Sequence, residues 1–565
     1  MLRKRGAIHG RERVAYGRRR DYTRARNLTT LPPRAVTMTS PFAAPALSRR
    51  KLLAAGASAC LGGTVLHETT LRSAGASITP GTLPVEPLEI GQEPQFVFDL
   101  HTVDCTWHLR EKQEPMQRVF HTCRKHGDAP LLTGDQPSHF WVVRDADTGL
   151  FRMWYQLNHE VEYPGGRQKG QSMYETYLAY AESRDGLAWE RPNLDLFQGL
   201  TDKKIPHNCV LYRPKSARNA YDTPQIVEVP EADRRGYRYL MLYLGTGPDG
   251  PRRVIRLVGS HDGIHWDLDH DQLICELGSD HANCILYNPE RKEYDLYLRA
   301  KHIYLAAGQG KDRLDSGQSR RGVARMASTT LWTEWKSQPQ TIMVPDELDV
   351  ASGYNYFYGM PVQRRHGIYW GFLQSFRLND FMHAELTWSR DGVQFERFPT
   401  RPKLIDYGPE GSWDDTMILA CPNWIEVGDE WWVYYNGWDG PHETTERIGG
   451  IGLAKIRKEG FISQRGPAGG GVVCTRSLRW PGGDLLVNAD AHEGELRVRV
   501  SDALRKPIAG FNYDDGPTFH GDSTAQTIRW QDRSLDELKG QVVRLEFQLK
   551  SADLYTFRAA AGKTG

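Results

Sequence analysis

Ser183-Arg184-Asp185-Gly186-Leu187-Ala188-Trp189 recurs as Ser260-His261-Asp262-Gly263-Ile264-His265-Trp266 and as Ser389-Arg390-Asp391-Gly392-Val393-Gln394-Phe395. Each copy follows a short β-like run, at residues 177–181, 254–258 and 384–388. Asp-Gly is a tight-turn pair, because glycine accepts positive φ and the Asp carboxylate can bond nearby backbone N–H groups. The aromatic three residues past the glycine is expected to start the outgoing strand and pack between neighbouring sheets. Two degenerate copies complete the series: Ser328-Thr329-Thr330-Leu331-Trp332-Thr333-Glu334-Trp335 and Ile456-Arg457-Lys458-Glu459-Gly460-Phe461. Successive copies stand 77, 68, 61 and 67 residues apart. That period predicts a radial array of four-stranded blades.

Working outward, five hairpins lie ahead of the five copies. Their strands are read at residues 138–143 with 150–156, 224–229 with 237–243, 281–287 with 293–298, 358–362 with 367–373, and 417–426 with 430–435. Strand–turn–strand–strand–turn–strand is what one propeller blade requires. The expected fold is therefore all-β, a five-bladed β-propeller over residues 96–462, with residues 96–100 as its first strand. After Gly460 a Gly/Pro stretch leads into alternating apolar and polar runs, which predict a β-sandwich over residues 472–560.

With 16 Trp, 25 Tyr, 55 Gly and 32 Pro in 565 residues, the composition suits turn-rich β structure. The net charge of +2 conceals an asymmetry: residues 1–37 alone carry +9, leaving −7 for the rest. An acidic body excludes a nucleic-acid partner from the reading. Residues 1–37 read as a basic leader or a mis-assigned start, residues 38–67 as a signal segment and residues 68–95 as a linker. Ser48-Arg49-Arg50-Lys51-Leu52-Leu53, ahead of an uncharged Ala/Gly-rich run, looks like a twin-arginine export signal. It predicts a periplasmic or secreted protein, with membrane attachment only through lipidation of Cys60.

Seven further cysteines are scattered and form no disulfide framework. Cys105–Cys123 is the pair singled out for an oxidising compartment. His101, Cys105, His108, His121, Cys123 and His126 lie close in sequence, but their spacings match no metal motif. No cofactor or metal site is expected, a structural calcium on the axis being left open. No phosphate loop, nucleophile elbow or His-Glu-x-x-His segment occurs.

The five-unit pattern, the terminal sandwich, Glu410-Gly411-Ser412-Trp413-Asp414 and Leu549-Lys550-Ser551-Ala552-Asp553-Leu554-Tyr555-Thr556-Phe557 resemble glycoside hydrolase family 32-like proteins. The wider superfamily includes families 43, 62 and 68, with exported bacterial members. The resemblance implies a propeller glycosidase with a third carboxylate that tunes the acid. The Trp-Met-Asn-Asp-Pro-Asn-Gly, Arg-Asp-Pro and Glu-Cys-Pro segments of family 32 enzymes are missing, so no catalytic position transfers by motif.

In a propeller, the starts of the innermost strands converge at one end of the axis. Acids just ahead of those strands are Asp135, Asp222, Asp280, Asp346 with Glu347, and the Glu410/Asp414/Asp415 cluster. Glycoside cleavage needs two carboxyl groups of different pKa, one protonated and one ionised. Asp222 and Asp280 are assigned as base or orienting acid, Asp414 or Asp415 as partner, and Glu385 as an outside candidate for the acid. Asp135, His281, Tyr356, Trp413 and Trp438 are the candidate sugar-binding residues, the rings by stacking on apolar sugar faces. The same residue types also cap turns and fill cores, and Asp185, Asp262 and Asp391 are read as purely structural. The expectation is an exported glycoside hydrolase-like protein acting on a poly- or oligosaccharide. The alternatives are a non-catalytic carbohydrate-binding propeller and a cell-surface interaction protein. Sugar, linkage, stereochemistry and oligomeric state are not specified by the sequence.

Overall fold

The computed structural model describes residues 86–560, except 110–114, 135, 161–173, 201–204, 214–220, 248–249, 278, 280–281, 305–318, 378–379, 443 and 445–446. Among them the fold is all-β, with one short α-helix, Glu347–Ser352, started by an Asp346/Asp349 capping box. Consecutive antiparallel meanders form the body. The first repeat is Ser138–Arg144, Phe151–Glu160, Tyr174–Ser183 and Cys209–Leu211; the second is Asp222–Ile226, Tyr239–Gly247, Gly250–Ser260 and Gln272–Cys275. The third is Cys284–Asn288, Glu293–Tyr304, Ser319–Ser328 and Gln340–Met343. The fourth opens with Tyr356–Phe357 and Val362–Arg365, followed by Ile368–Phe376, Met382–Ser389 and Glu396–Arg397. The fifth runs through Met417–Ala420 with Ile425–Val427, then Glu430–Trp438 and Gly449–Arg457. Its outer strand comes from far upstream: Arg124 and Lys125 pair with Lys455 and Ala454.

The recurring turn joins the third and fourth strands, and it performs the same task each time. Asp185 Oδ1 accepts the N–H groups of Leu187 and Ala188 at 2.8 Å. Asp262 and Asp391 do the same for their own turns. Gly186, Gly263 and Gly392 have φ of 76°, 81° and 73°. Each glycine carbonyl then accepts a hydrogen bond from the second strand of the preceding repeat: Tyr434 Oη to Gly186 (2.8 Å), Trp154 Nε1 to Gly263 (2.7 Å) and Tyr297 Oη to Gly392 (2.7 Å). The turn's aromatic meets that same donor ring edge-on, as Trp189 with Tyr434, Trp266 with Trp154 and Phe395 with Tyr297. The motif is thus an inter-sheet latch as well as a turn. The fifth copy is degenerate because no outgoing strand follows it there; Phe461 leads into Ile462–Gly466, which leaves for the C-terminal sheets.

Contacts on or beside the first strands join four of the five seams, and the Trp154 bond to Gly263 joins the first repeat to the second, which closes the cycle. The Gln225 amide spans from the second repeat to both backbone groups of Ile285, at 2.9 and 2.7 Å. Val362 N–H donates to Cys284 Sγ (3.1 Å) between fourth and third. Arg365 reaches Asn423 Oδ1 (2.9 Å) between fourth and fifth. Asn423 Nδ2 to Val142 O (2.5 Å) and His139 N–H to Asn436 Oδ1 (2.8 Å) connect the fifth to the first. The arrangement is a β-propeller.

Two further sheets share a core containing Trp480, Trp530, Phe511, Leu545, Phe547 and Phe557. One contains Leu88–Glu89, Val103–His108, Gly471–Thr475, Leu478–Arg479, Glu495–Asp502 and Val542–Lys550; the other contains Gln95–Phe96, Gln117–Phe120, Ile462–Gly466, Leu485–Asp490, Asp522–Ile528 and Ala552–Ala559. The expected opening propeller strand at residues 96–100 is corrected here. Phe96 pairs with Thr556 in the sandwich, while its ring and that of Phe98 pack against Trp370 and Trp388 of the propeller.

Candidate functional site

The first strand is a sheet edge in the first three repeats, whereas Met417–Ala420 of the fifth also meets Met382 of the fourth. Pro224, Pro361 and Pro422 stand on or beside first strands, and each lacks the N–H that an edge would leave unpaired. These prolines line an axial cavity with His139, Thr223, Gln225, Asn283, Gln374 and Asn436. Its volume is about 50 Å³, room for a few ordered waters. The lining is mainly apolar, with Phe140, Trp141, Leu419 and the prolines, and the polar groups are set among them. Asn283 is 6% exposed and neither atom of its amide is hydrogen-bonded; Gln374 Oε1 and Thr223 Oγ1 are likewise unbonded.

Antiparallel pairing places the starts of first strands, the ends of second strands and the starts of third strands at one end of the axis. Gln136, His139, Thr223 and Ala282 cluster there with φ of 48°, 41°, 51° and 59°. A left-handed backbone costs a non-glycine residue about 1–3 kcal/mol, and such conformations gather at functional sites. Asp222 is buried beside Thr223, at 3% exposure. At the same end Tyr358 N–H donates to Gln374 O (2.8 Å). The guanidinium groups of Arg299 and Arg321 lie 5.0 and 5.4 Å from the Tyr358 ring centre. His442 Nε2 is 3.2 Å from the Tyr358 hydroxyl. Every repeat therefore contributes a polar or charged group to this mouth. Arg299, Arg321, Tyr358 and His442 were not among the sequence candidates. Arginines inside otherwise apolar strand runs, as in Leu298-Arg299-Ala300, were the available signal.

The remaining candidates fall in different places. Asp135, Asp280 and His281 lie outside the described residues. Asp414 is buried on the fifth repeat, 2.6 Å from Lys125 Nζ of the closing strand, and accepts from the Tyr435 hydroxyl (2.8 Å) and Ser412 Oγ (3.1 Å). Asp415 accepts Gly411 N–H and the Thr416 hydroxyl, each at 2.7 Å, and closes its loop. Neither lines the axial cavity. Trp413 stacks on Tyr435 at 5.5 Å over Gly452, where a Cβ would meet its ring at 2.9 Å. Tyr356 and Trp438 are buried with Tyr358, Phe376, Met382, Met417 and Leu419, so these rings fill space between the fourth and fifth repeats.

Glu385 is unfit for the acid role. It is buried and accepts from Ser375 Oγ (2.5 Å), His383 Nε2 (3.2 Å) and Arg397 Nη2 (2.7 Å). Burial pushes its pKa up, but the His383 hydrogen bond and the Arg397 charge outweigh that and hold it at about 2. A carboxyl that ionised keeps no proton for a leaving group. Arg397 also clamps Asp349 through two 2.8 Å bonds, forming a structural ion network.

No protein-family model and no curated protein matches the sequence. The chain is similar to several solved structures. An N-acetylgalactosamine deacetylase from F. plautii, in complex with blood group B trisaccharide, is 17% identical over 60% of this chain and 95% of its own, at a TM-score of 0.38. A β-1,2-mannobiose phosphorylase from Listeria innocua is 12% identical, over 60% and 97%, at 0.40. The GH43_1 enzyme from Xanthomonas citri is 13% identical, over 59% and 92%, at 0.36. At these identities and scores the likeness says nothing about activity.

Proposed function

We propose that this chain is an exported, five-bladed carbohydrate-processing propeller of the glycoside hydrolase type, working at the strand-start mouth of its axis. The observation that supports this most is Asp222: a buried carboxylate at that mouth, beside the left-handed Thr223. Asp135 and Asp280 hold related positions in the sequence, ahead of the first strands of the flanking repeats. In this reading Asp222 acts with one of them as the unequal carboxyl pair that glycoside cleavage needs. Asp414 and Glu385 drop out because each is buried against a cation, and Asp415 because it closes its own loop through Gly411 N–H and the Thr416 hydroxyl. In this reading the sugar binds at that mouth.

The test is sugar release from a polysaccharide panel by wild type, Asp222→Asn, Asp280→Asn, Asp135→Asn and Asp414→Asn, with glycan binding measured in parallel. The reading requires release to fall at least 100-fold in Asp222→Asn and in either Asp280→Asn or Asp135→Asn while binding persists, and to track only folded yield in Asp414→Asn. Full release by Asp222→Asn sinks it. The second reading, a non-catalytic carbohydrate-binding propeller, is favoured by the engagement of Asp414 and Glu385 with cations. It predicts binding with no release by any variant.

A further inference from the structure

Cys105 and Cys474 are direct cross-strand partners. Val103–His108 is the edge strand of its sandwich sheet and pairs antiparallel with Gly471–Thr475, with Cys474 opposite Cys105. Directly opposed residues of an antiparallel pair have Cα atoms about 4.5–5.5 Å apart and side chains on one face. Both distances fall within the span a disulfide bridges. Cys474 is fully buried, whereas Cys105 is partly exposed, and Arg505 Nη2 donates to Cys105 Sγ at 3.0 Å. The pair named from sequence, Cys105 with Cys123, is corrected by this geometry. Cys123 is buried against the propeller, its N–H bonded to Leu404 O at 2.9 Å.

We propose that Cys105 and Cys474 form a redox-controlled cross-strand disulfide that staples the upstream edge strand to the C-terminal sandwich. Both thiols are free in this structure. With a low-molecular-weight disulfide such as oxidised glutathione as oxidant, the exchange runs in two steps. The Cys105 thiolate, beside the Arg505 cation, attacks one glutathione sulfur. The glutathione S–S bond breaks, and the departing thiolate takes a proton from solvent. Cys474 then gives up its proton, attacks the Cys105 sulfur of the mixed disulfide and releases the second glutathione. Two cysteine thiols are oxidised and one glutathione disulfide is reduced to two thiols. Burial, then the neighbouring Cys105, pushes the Cys474 thiol up to about 12, which fits Cys105 as the attacking group. The bond closes nearly the whole propeller into one covalent loop, the case in which a cross-link most restricts the unfolded chain.

The experiment uses the full chain, reduced and then equilibrated with oxidised glutathione, with alkylation in denaturant and peptide mapping without reductant. The expected result is two fewer alkylatable thiols and one peptide pair joined through Cys105 and Cys474. The oxidised form should melt roughly 5 °C higher than the reduced form. Cys105→Ser should remove the bond and Cys123→Ser should leave it. Because Cys105 is partly exposed, its variant keeps the test independent of any folding defect in Cys474→Ser. Unchanged alkylation, a glutathione adduct that stays on Cys105, a bond to Cys123, or a link between chains would each overturn the proposal.

Discussion

The inter-sheet latch can be tested by placing one methyl group at two glycines of nearly equal backbone geometry. Gly367 has φ of 71° and Gly392 has φ of 73°. A Cβ on Gly367 meets nothing within 4 Å, whereas one on Gly392 would stand 2.8 Å from the Tyr297 hydroxyl and 3.0 Å from the Tyr369 ring. Gly367→Ala therefore measures the left-handed penalty alone, about 1–2 kcal/mol. Gly392→Ala adds the displacement of Tyr297 from its buried bond to the Gly392 carbonyl. Leaving a buried polar group unpaired costs about 1–3 kcal/mol, so the total is about 2–5 kcal/mol. Urea midpoints, with the unfolding slope checked for constancy, give the comparison. Tyr297→Phe removes the nearest clashing atom, so the double variant should be less destabilised than the sum of the singles by about 1 kcal/mol. Equal losses for Gly367→Ala and Gly392→Ala would refute the latch and reduce the motif to an ordinary hairpin.

Other expectations follow from the same contacts. Gln225→Leu strips both Ile285 backbone groups of their partner and should destabilise by about 2–4 kcal/mol, with faster hydrogen exchange confined to the seam between the second and third repeats. Arg397→Gln leaves Glu385 and Asp349 buried without their cation and should cost about 3–5 kcal/mol, read by thermal melting. Glu385 is held at about 2 in the folded state, so its contribution is full above its ordinary value near 4.5 and fades as pH falls toward 2. Wild type should therefore lose stability across that window more steeply than Glu385→Gln. Lys125→Met removes the cation against Asp414 and should loosen the closing strand, detected as earlier proteolysis near residue 125.

The turn copies were readable because Ser, Asp, Gly and the following aromatic act within a few residues of each other. The sequence could not show what the glycine carbonyls accept, since Tyr434, Trp154 and Tyr297 lie 95 to 248 residues away. Short strands such as Arg124–Lys125 and Gln117–Phe120 carry no periodicity of their own and exist through partners more than 300 residues downstream. That distance also explains the site. Asp222 was read as standing just ahead of a strand, and it is the first residue of Asp222–Ile226. Asp414 looked equivalent until Lys125 stood beside it, and Glu385 until His383 and Arg397 did.

The interleaving of early and late strands has a consequence for biosynthesis. Residues 88–120 emerge from the ribosome several hundred residues before the strands that will flank them. Until then they must wait as unpaired, partly apolar edges, open to chaperones and to each other. Completion of the two sandwich sheets is a late event set by the synthesis of residues 462–559, and loss of those strands should leave the early ones without partners.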